Sequence, residues 1–500
     1  MPDADPAPVA LDLHDDQVTR LREALTAADF TVGAVGDLLG PDAHRALQRN
    51  ETTPAARRTG DGSPLATLTR LFSLQRPVDV ASADTALGGQ AAALTGAGLL
   101  ERDGDQVRAL VDVRPYGDED HDWWVVSDLT PGLDGDERRV APDWVLGVSE
   151  ASSSLAQLTV RTPVASALDL GTGCGVQSLH LSSHVERVVG TDLNPRAVTM
   201  ARLTAELNGL AHDVREGDLL APVAGERFDL LVTNPPFVIS PGTDEKLVYR
   251  DSGLPGDEVV RRIVTGAPEH LNPGGWCQVL ANWVHRADQP WQERVEGWLA
   301  PGGCDAWALE REAVDPATYV EMWLADAGLR GTPDWTRRYD AWLSWFEAER
   351  IEAVGFGWLS LRAAGRDVPR LRVEEWPYEV VAPLGPHVRA WGERVDLVAG
   401  ATDDEVLAAH LVRAPGLAQE SVGEPGATDP STIVLRLPDG VRRARQADTV
   451  EAALVGALDG DLAVGQVLDA LATLTDTDVS VLRTTYLPVV RELVDEGYLR

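Results

Sequence analysis

Apolar and polar positions change their spacing along the chain and divide it into four parts. Over residues 1–140 apolar side chains recur mainly at helical spacing, with strand segments added near the end. Over residues 141–385 short apolar runs alternate with amphipathic segments, which is typical of a parallel sheet covered by helices. Residues 386–430 are rich in Gly, Pro and acids and are predicted to be a linker, and residues 431–500 a small helical module. This pattern predicts an α/β fold with a smaller domain on each side.

Two segments refine this division. Residues 92–113 run from a helix through Gly-Leu-Leu and an acidic turn into an alternating strand, so we expect a winged-helix-like module there, and a similar one at the C-terminus. Residues 283–350 are predicted to form a helical insertion whose tryptophans lie near helical spacing and belong mostly to the core. These tryptophans are Trp283, Trp291, Trp298, Trp323, Trp342 and Trp345.

Composition limits the partners of the chain. It carries 79 acidic and 44 basic side chains, a formal net charge of −35, and so gains no long-range attraction to a polyanion. Tight general binding to DNA or RNA is therefore disfavoured. One group of arginines lies where acids are few, and we expect it to be ordinary solvated surface. Its members are Arg45, Arg49, Arg57, Arg58, Arg70 and Arg76.

The cysteines and the apolar segments exclude other classes. The three cysteines lack the spacing of zinc ligands or of a disulfide framework, so we expect no metal. No apolar stretch approaches the roughly 18 residues of a membrane helix, and the acidic, Pro-rich N-terminus does not resemble a targeting segment. We expect a soluble cytoplasmic protein without a membrane partner.

The tetrapeptide Asn234-Pro235-Pro236-Phe237 ends an apolar run. Each proline fixes its own φ and keeps the preceding residue out of the helical region, so Asn234 and Pro235 are held extended with free carbonyl groups. An amide oxygen beside a free backbone carbonyl forms a pair of acceptors for an NH2 group, and the aromatic ring offers a face for stacking. The segment is predicted either to bind a planar nitrogen group or to be a polar turn, since Asn-Pro is common in turns.

A glycine-rich turn lies upstream of the tetrapeptide. An apolar strand from Val164 leads into Gly171-Thr172-Gly173-Cys174-Gly175 and then into a helix, an arrangement that lets a ligand approach the backbone. Val176 occupies the position where a dinucleotide-binding loop has its third glycine, and the Lys-Ser/Thr of a phosphate-binding loop is absent. Nicotinamide and nucleoside triphosphate are therefore both disfavoured.

Polar side chains follow four successive predicted strands, at Asp169, Asp192, Asp218 and Asn234. Asp192 lies about 20 residues after the glycine loop, where an acid can bind ribose hydroxyls. Asp218 could bind an adenine amino group. One acid at a strand end is often only a helix cap, but ligands in open α/β sheets bind at the carboxyl ends of the strands. The ordered series predicts one site at that edge.

This series resembles the class I S-adenosylmethionine-dependent methyltransferases, and among them the group with an Asn-Pro-Pro-aromatic motif. That group includes the HemK-type glutamine methyltransferases of release factors, amino-adenine methyltransferases of nucleic acids and ribosomal RNA guanine methyltransferases. The resemblance covers roughly residues 145–285 and implies a Rossmann-like sheet of seven strands.

The resemblance also implies roles for individual residues. The glycine loop and Asp169 would hold the methionine part of S-adenosylmethionine, Asp192 the ribose, and Asp218 with Leu219 the adenine. The positions it assigns to the cofactor are Asp169, Gly171, Thr172, Gly173, Cys174, Gly175, Asp192, Leu193, Asp218, Leu219 and Asn234. The substrate-nitrogen site would be Asn234, Pro235, Pro236 and Phe237.

The methyl acceptor is left open by these residues. Phe237 stands where Tyr is commoner in the release-factor and adenine groups, and Phe is usual among the guanine RNA enzymes. Residues 248–257 match the release-factor loop only loosely, whereas the acidic charge disfavours nucleic acid. We favour a protein glutamine, as in a translation factor, with an RNA or DNA amino group as the alternative. A third hypothesis is an S-adenosylmethionine-binding regulator without catalysis.

Overall fold

The structure divides into two compact units, Met1–Ala156 with Thr162–Glu374, and Gln157–Arg161 with Glu375–Arg500. It is a computed structural model. The residues it describes are 10–135, 141, 143–236, 238–242, 253–425 and 430–500.

An eight-stranded mixed sheet forms the centre of the first unit. In chain order its strands are β1 (Val164–Leu170), β2 (Val185–Asp192), β3 (Asp213–Glu216), β4 (Phe228–Thr233), β5 (Leu271–Arg286), β6 (Asp305–Val314), β7 (Ile351–Arg362) and β8 (Leu371–Glu375). Their order across the sheet is β8-β6-β7-β5-β4-β1-β2-β3. Strands β1 to β5 pair in parallel, and β7 runs antiparallel to β5 and β6. The α/β prediction is confirmed, but the sheet has eight strands and not the predicted seven.

Helices follow the parallel strands, as the alternating pattern predicts. They are Val176–Ser182, Pro195–Leu207, Glu258–Gly266 and Trp291–Leu299, with short 3-10 turns at Ala221–Val223, Ala267–His270 and Ala300–Gly302, while helix Glu150–Leu158 precedes β1. Val259, Val260 and Ile263 pack one of these helices against the buried side of β4 and β5. Because the central strands are covered, they are almost continuously apolar.

The tryptophan-rich insertion is only partly helical. Helices Pro316–Asp326 and Pro333–Ala348 are present, but Asp305–Val314 is the sheet strand β6 and not a helix. The prediction that the tryptophans belong to the core is confirmed for five of the six, which are at most 8% exposed, while Trp345 is partly buried. They fall into two separate cores, one beside β5 and one within the helical pair.

The N-terminal region consists of helices and two small groups of strands. The helices are Asp15–Ala27, Val32–Leu47, Thr53–Arg58, Pro64–Leu68, Thr69–Ser73, Val80–Ala86 and Ala91–Gly96, with a 3-10 turn at Leu133–Gly135. Val78–Asp79, Gln106–Ala109 and Leu100–Asp103 form a three-stranded sheet in that order, and Asp112–Gly117 pairs with Asp122–Ser127.

The predicted domain boundary at residue 140 is wrong. Leu21, Phe30 and Phe72 of the N-terminal region share one apolar core with Leu179 and Met200 of the helices beside the sheet. A core that continues across the boundary makes the two regions one compact unit.

The predicted linker at 386–430 is also wrong. Helix Gly385–Val398 buries Val388, Trp391 and Val395, and Trp391 is fully inaccessible. Three of the acids that suggested a linker, Asp403, Asp404 and Glu405, lie in the first turn of a helix, where Thr402 and Glu405 cap each other's backbone groups. The second unit therefore begins near residue 375, well before the predicted module at 431–500.

The remaining elements of the second unit are a small sheet and four helices. They are helix Asp403–Ala408, strands Ala418–Val422, Thr432–Arg436 and Ala444–Ala447, and helices Thr449–Ala457, Val464–Leu474 and Val479–Glu496. In neither unit does the described part of the chain contain a helix long and apolar enough to span a membrane.

Candidate active site

The four predicted site segments meet at the carboxyl edge of the sheet. Leu170 at the end of β1 is in register with Thr191 of β2 and with Thr233 of β4. The Thr233 hydroxyl donates to the Leu170 carbonyl at 2.7 Å. On the other side, the Gly217 amide donates to the Asp192 carbonyl at 2.9 Å. These contacts join the ends of β1, β2, β3 and β4 into one continuous rim.

The glycine loop has a backbone that only glycine adopts easily. Gly171, Gly173 and Gly175 have φ values of 71°, 54° and 84°, in the left-handed region that other residues disfavour. A Cβ on Gly175 would lie 3.4 Å from the Cα of Ala201, so this glycine also allows close packing of the next helix. Beside Gly171 and Gly173, by contrast, there is open space where a Cβ would be. A ligand can therefore approach the loop backbone at these two positions.

Asp169 supports the loop from below. Its Oδ2 accepts hydrogen bonds from the Thr172 hydroxyl at 2.7 Å, the Ser178 hydroxyl at 2.8 Å and the Ser178 amide at 3.0 Å. Burial raises the pKa of Asp169 to about 6, and these hydrogen bonds oppose the shift. The side chain thus ties the two ends of the loop together, which is a more structural position than the methionine contact implied by the resemblance.

Asp192 links the loop to the second strand. Its Oδ2 accepts from the Gly173 amide and its Oδ1 from the Asn194 amide, both at 2.9 Å. Burial raises the pKa of Asp192, and the backbone hydrogen bonds lower it in part. A carboxylate oxygen can accept more than one hydrogen bond, so the Asp192 side chain can still bind a ligand hydroxyl.

The other predicted cofactor positions differ in exposure. Leu193 and Asp218 are exposed on the rim, and Leu219 is half-buried with a positive φ of 45°. Cys174 is buried in the N-terminal core, and burial raises the pKa of its thiol to about 12. The Thr172 hydroxyl is already bonded to Asp169. The Thr172 amide also donates to the Thr191 carbonyl, and its carbonyl accepts from the Gly175 amide. Thr172 therefore holds the shape of the loop, and at Cys174 the backbone, and not the side chain, is left for a ligand.

The tetrapeptide Asn234-Pro235-Pro236-Phe237, here called the acceptor segment, follows β4 directly in the sequence. Asn234 is half-buried, and its Oδ1 is inaccessible to water and finds no hydrogen-bond partner among the described residues. Pro235 is buried and Pro236 half-buried. Phe237 lies outside the described residues. A buried amide oxygen without a partner is costly unless a ligand supplies the donor, so Asn234 is suited to bind one.

One wall of the site was not predicted. The carboxylate of Asp128, from the N-terminal region, accepts from the Arg196 guanidinium at 3.0 Å and from the Val145 amide at 2.7 Å. The side-chain nitrogen of Asn194 also donates to the Asp143 carbonyl at 2.8 Å. In the sequence, the pair Asn194-Pro195 indicates a helix start. No local pattern indicates that Asp143, some 50 residues earlier, contacts this start.

Among the residues that the structure describes, no group of three or more His, Cys, Asp or Glu side chains is arranged to hold a metal ion.

The sequence was compared with known families and proteins. The methyltransferase small domain matches residues 147–296, and two domains of unknown function match residues 27–110 and 389–500. A release factor glutamine methyltransferase of Geobacter sulfurreducens is 37% identical over 131 residues, which are 24% of this chain and 46% of that protein. The ribosomal RNA small subunit methyltransferase C of Alcanivorax borkumensis is 36% identical over 115 residues, 23% of this chain and 31% of that protein. The chain thus spans less than half the length of these two relatives.

Two further similarities differ in weight. A solved 16S rRNA N2 G1207 methyltransferase of T. thermophilus has 20% identity and a TM-score of 0.27, covering 48% of this chain and 64% of that one, which is too low to bear on function. A protein of Methanocaldococcus jannaschii, named as a candidate N5-glutamine methyltransferase, is 30% identical over 154 residues, 30% of this chain and 77% of that protein. Since this match spans most of the relative, and residues 147–296 match the methyltransferase small domain, the chain belongs to the methyltransferase small domain family.

Proposed function

We propose that this protein is an S-adenosylmethionine-dependent N-methyltransferase that acts on a planar amide or amino nitrogen. The observation that carries the proposal is the buried, unpartnered Oδ1 of Asn234 at the end of β4. It lies on the same rim as the glycine loop and Asp192, because Thr233 bonds to Leu170 and Gly173 bonds to Asp192. A nitrogen acceptor and a methyl donor would therefore meet at one edge of the sheet.

The residues present fit the cofactor. Open space beside Gly171 and Gly173 leaves room for a chain against the loop backbone, and the Asp192 carboxylate can accept from ribose hydroxyls. Asp218, exposed on the next strand end, is placed to accept from an adenine amino group. Asp169 would act through the loop, which it holds by Thr172 and Ser178. We also propose that the sheet is the seven-stranded sheet of a class I methyltransferase, with β8 added at its edge.

The chain contributes position more than acid–base chemistry. When bound, S-adenosylmethionine supplies a methyl group on a sulfonium centre. The Asn234 Oδ1 and the Pro235 carbonyl would each accept a hydrogen bond from the acceptor NH2 and so direct the nitrogen lone pair towards the methyl group. Such alignment of two reactants supplies most of the rate enhancement, and the proton released on N–C bond formation can pass to water.

A protein glutamine is the favoured acceptor, as the names of the Geobacter sulfurreducens and Methanocaldococcus jannaschii relatives suggest, while the Alcanivorax borkumensis relative is named for ribosomal RNA. The helix Ala91–Gly96, which would read a DNA groove in a winged-helix-like module, carries no basic side chain. In the last helix of the second unit, Arg483 is paired with Asp469 and Arg491 with Asp403. These surfaces are poorly suited to phosphates, so we also propose that the flanking modules bind protein or serve as structural caps.

The acceptor class is tested by transfer of a tritiated methyl group from S-adenosylmethionine into cell extract. We expect label that is lost on protease digestion and survives nuclease. Label that survives protease and is lost with nuclease would instead show an RNA or DNA amino group as the acceptor. Binding of S-adenosylmethionine without any labelled product would favour the regulator.

A further inference from the structure

The chain just after the acceptor segment is held in an apolar core. Val238 and Ile239 are at most 1% exposed and pack with Val284 of β5 and with Tyr319 and Phe346 of the helical insertion. They stand two and three positions after Pro236 in the sequence. Any movement of this core would therefore shift Asn234, Pro235 and Pro236 of the acceptor segment.

One hydroxyl group connects the three parts of this core. The Ile239 amide donates to the Tyr319 hydroxyl at 2.8 Å, and the Asn282 side-chain nitrogen donates to the same oxygen at 3.2 Å. Tyr319 belongs to helix Pro316–Asp326, and Asn282 lies in β5, three residues beyond the Val279 that pairs with Thr233. The hydroxyl thus ties the segment after the turn to both the sheet and the insertion.

Among the described residues, the Ile239 amide and the Asn282 side-chain nitrogen have no acceptor other than the Tyr319 hydroxyl. Tyr319 and Asn282 are at most 1% exposed, so water cannot replace a lost hydroxyl. The Asn282 Oδ1 is also buried and finds no partner in the described ranges, so the hydrogen bond from its side-chain nitrogen to Tyr319 orients that amide. Removal of the hydroxyl would leave two buried donors without an acceptor, which is the costly way to lose a hydrogen bond.

We infer that Tyr319 and Asn282 are positioning residues for the methyl-acceptor site, an inference that rests on the proposed function. They fix Ile239 against β5. They thereby set where the Asn234 amide lies relative to the carboxyl edge of the sheet, where the cofactor would bind. Asn282 belongs to β5 and Tyr319 to the insertion, whereas the glycine loop follows β1 and Asp192 ends β2. Their loss should therefore slow transfer and leave cofactor binding unchanged, because alignment of the reactants is sensitive to shifts of about 1 Å.

The test is Tyr319→Phe, which removes the hydroxyl and keeps the ring against Trp323 and Phe346. We expect the rate of tritiated methyl transfer into extract, at saturating S-adenosylmethionine, to fall at least tenfold. The calorimetric Kd for S-adenosylmethionine should stay within twofold of the wild type. The matched control is Tyr339→Phe, since the Tyr339 hydroxyl donates to Glu321 on the exposed side of the same insertion. It should keep the wild-type rate.

A second variant covers the case in which Tyr319→Phe does not fold. Asn282→Ala keeps the bond from Ile239 to Tyr319 and should show a smaller loss of rate with the same unchanged Kd. A wild-type rate in Tyr319→Phe, or losses of rate and cofactor affinity in equal proportion, would overturn this inference alone. Absence of any transfer by the wild type would overturn the proposed function and this inference with it.

Discussion

At the scale of single residues, the hydrogen-bond partners of buried polar atoms distinguish residues that support the site from residues that are suited to bind a ligand. Asp169 is 1% exposed and its Oδ2 is bonded to the loop it carries, whereas Asn234 presents a buried oxygen with no partner among the described residues. The first arrangement stabilises a loop and the second is suited to a ligand. Sequence spacing placed both on the rim but could not distinguish these roles, because hydrogen-bond partners depend on the fold.

The raised pKa of Asp169 predicts a pH dependence of stability. Burial raises this pKa from 3.8 to about 6, so the native state binds the proton more tightly than the unfolded chain. The stabilisation is present below pH 4 and is lost as the pH rises through 6, by about 3 kcal/mol in all. Urea unfolding between pH 4 and pH 7 should show the wild type losing this amount relative to Asp169→Asn. A difference between the two proteins that does not change with pH would contradict the prediction.

At the scale of elements, Asp128 and Asp143 contact the start of the helix that follows β2, beside the carboxyl edge of the sheet. The Asp128 and Arg196 side chains are 3% and 13% exposed, so this ion pair is largely shielded from water. Arg196 lies two residues after Asn194, whose backbone amide donates to Asp192. The pair therefore connects the N-terminal region to the start of the helix that follows β2.

Breaking this pair should cost both stability and cofactor affinity. Arg196→Met leaves a buried carboxylate without its cation, which destabilises a protein by about 3 to 5 kcal/mol. The control is Arg187→Met, because the ion pair of Arg187 with Glu226 is much more exposed and should contribute at most about 1 kcal/mol. Urea unfolding and calorimetry with S-adenosylmethionine measure the two effects. Equal losses in both variants would show that the pair does not hold the wall.

The same scale shows which elements a sequence can predict. Strands β1, β2 and β4 are short apolar runs with polar residues at their ends, and both features are local, so their positions followed from the pattern. Strand β6 reads Asp-Ala-Trp-Ala-Leu-Glu-Arg-Glu-Ala-Val, a sequence rich in good helix formers, and was expected to be helical. Its pairing with β7 overrides that propensity, and such a pairing is not visible in a local window.

At the scale of the whole molecule, composition was the least reliable guide to organisation. The acid-rich stretch after residue 386 forms helices that bury Trp391 and Val395, since acids on exposed faces and at helix starts do not prevent packing. The net charge of −35 bears instead on partners. It disfavours polyanions, which agrees with a protein acceptor as the proposal has it.

The central claim is that Asn234 holds the methyl acceptor on the same edge that binds the cofactor. The most direct test compares the wild type with Asn234→Ala in two measurements, calorimetric binding of S-adenosylmethionine and tritiated methyl transfer into extract. Asn272→Ala serves as the control, because Asn272 bonds to Asp229 near the start of β5, away from the site. We predict binding within a few-fold of the wild type and transfer reduced about 100-fold or more in Asn234→Ala, as for loss of one catalytic hydrogen bond. Transfer at the wild-type rate in Asn234→Ala would contradict the account.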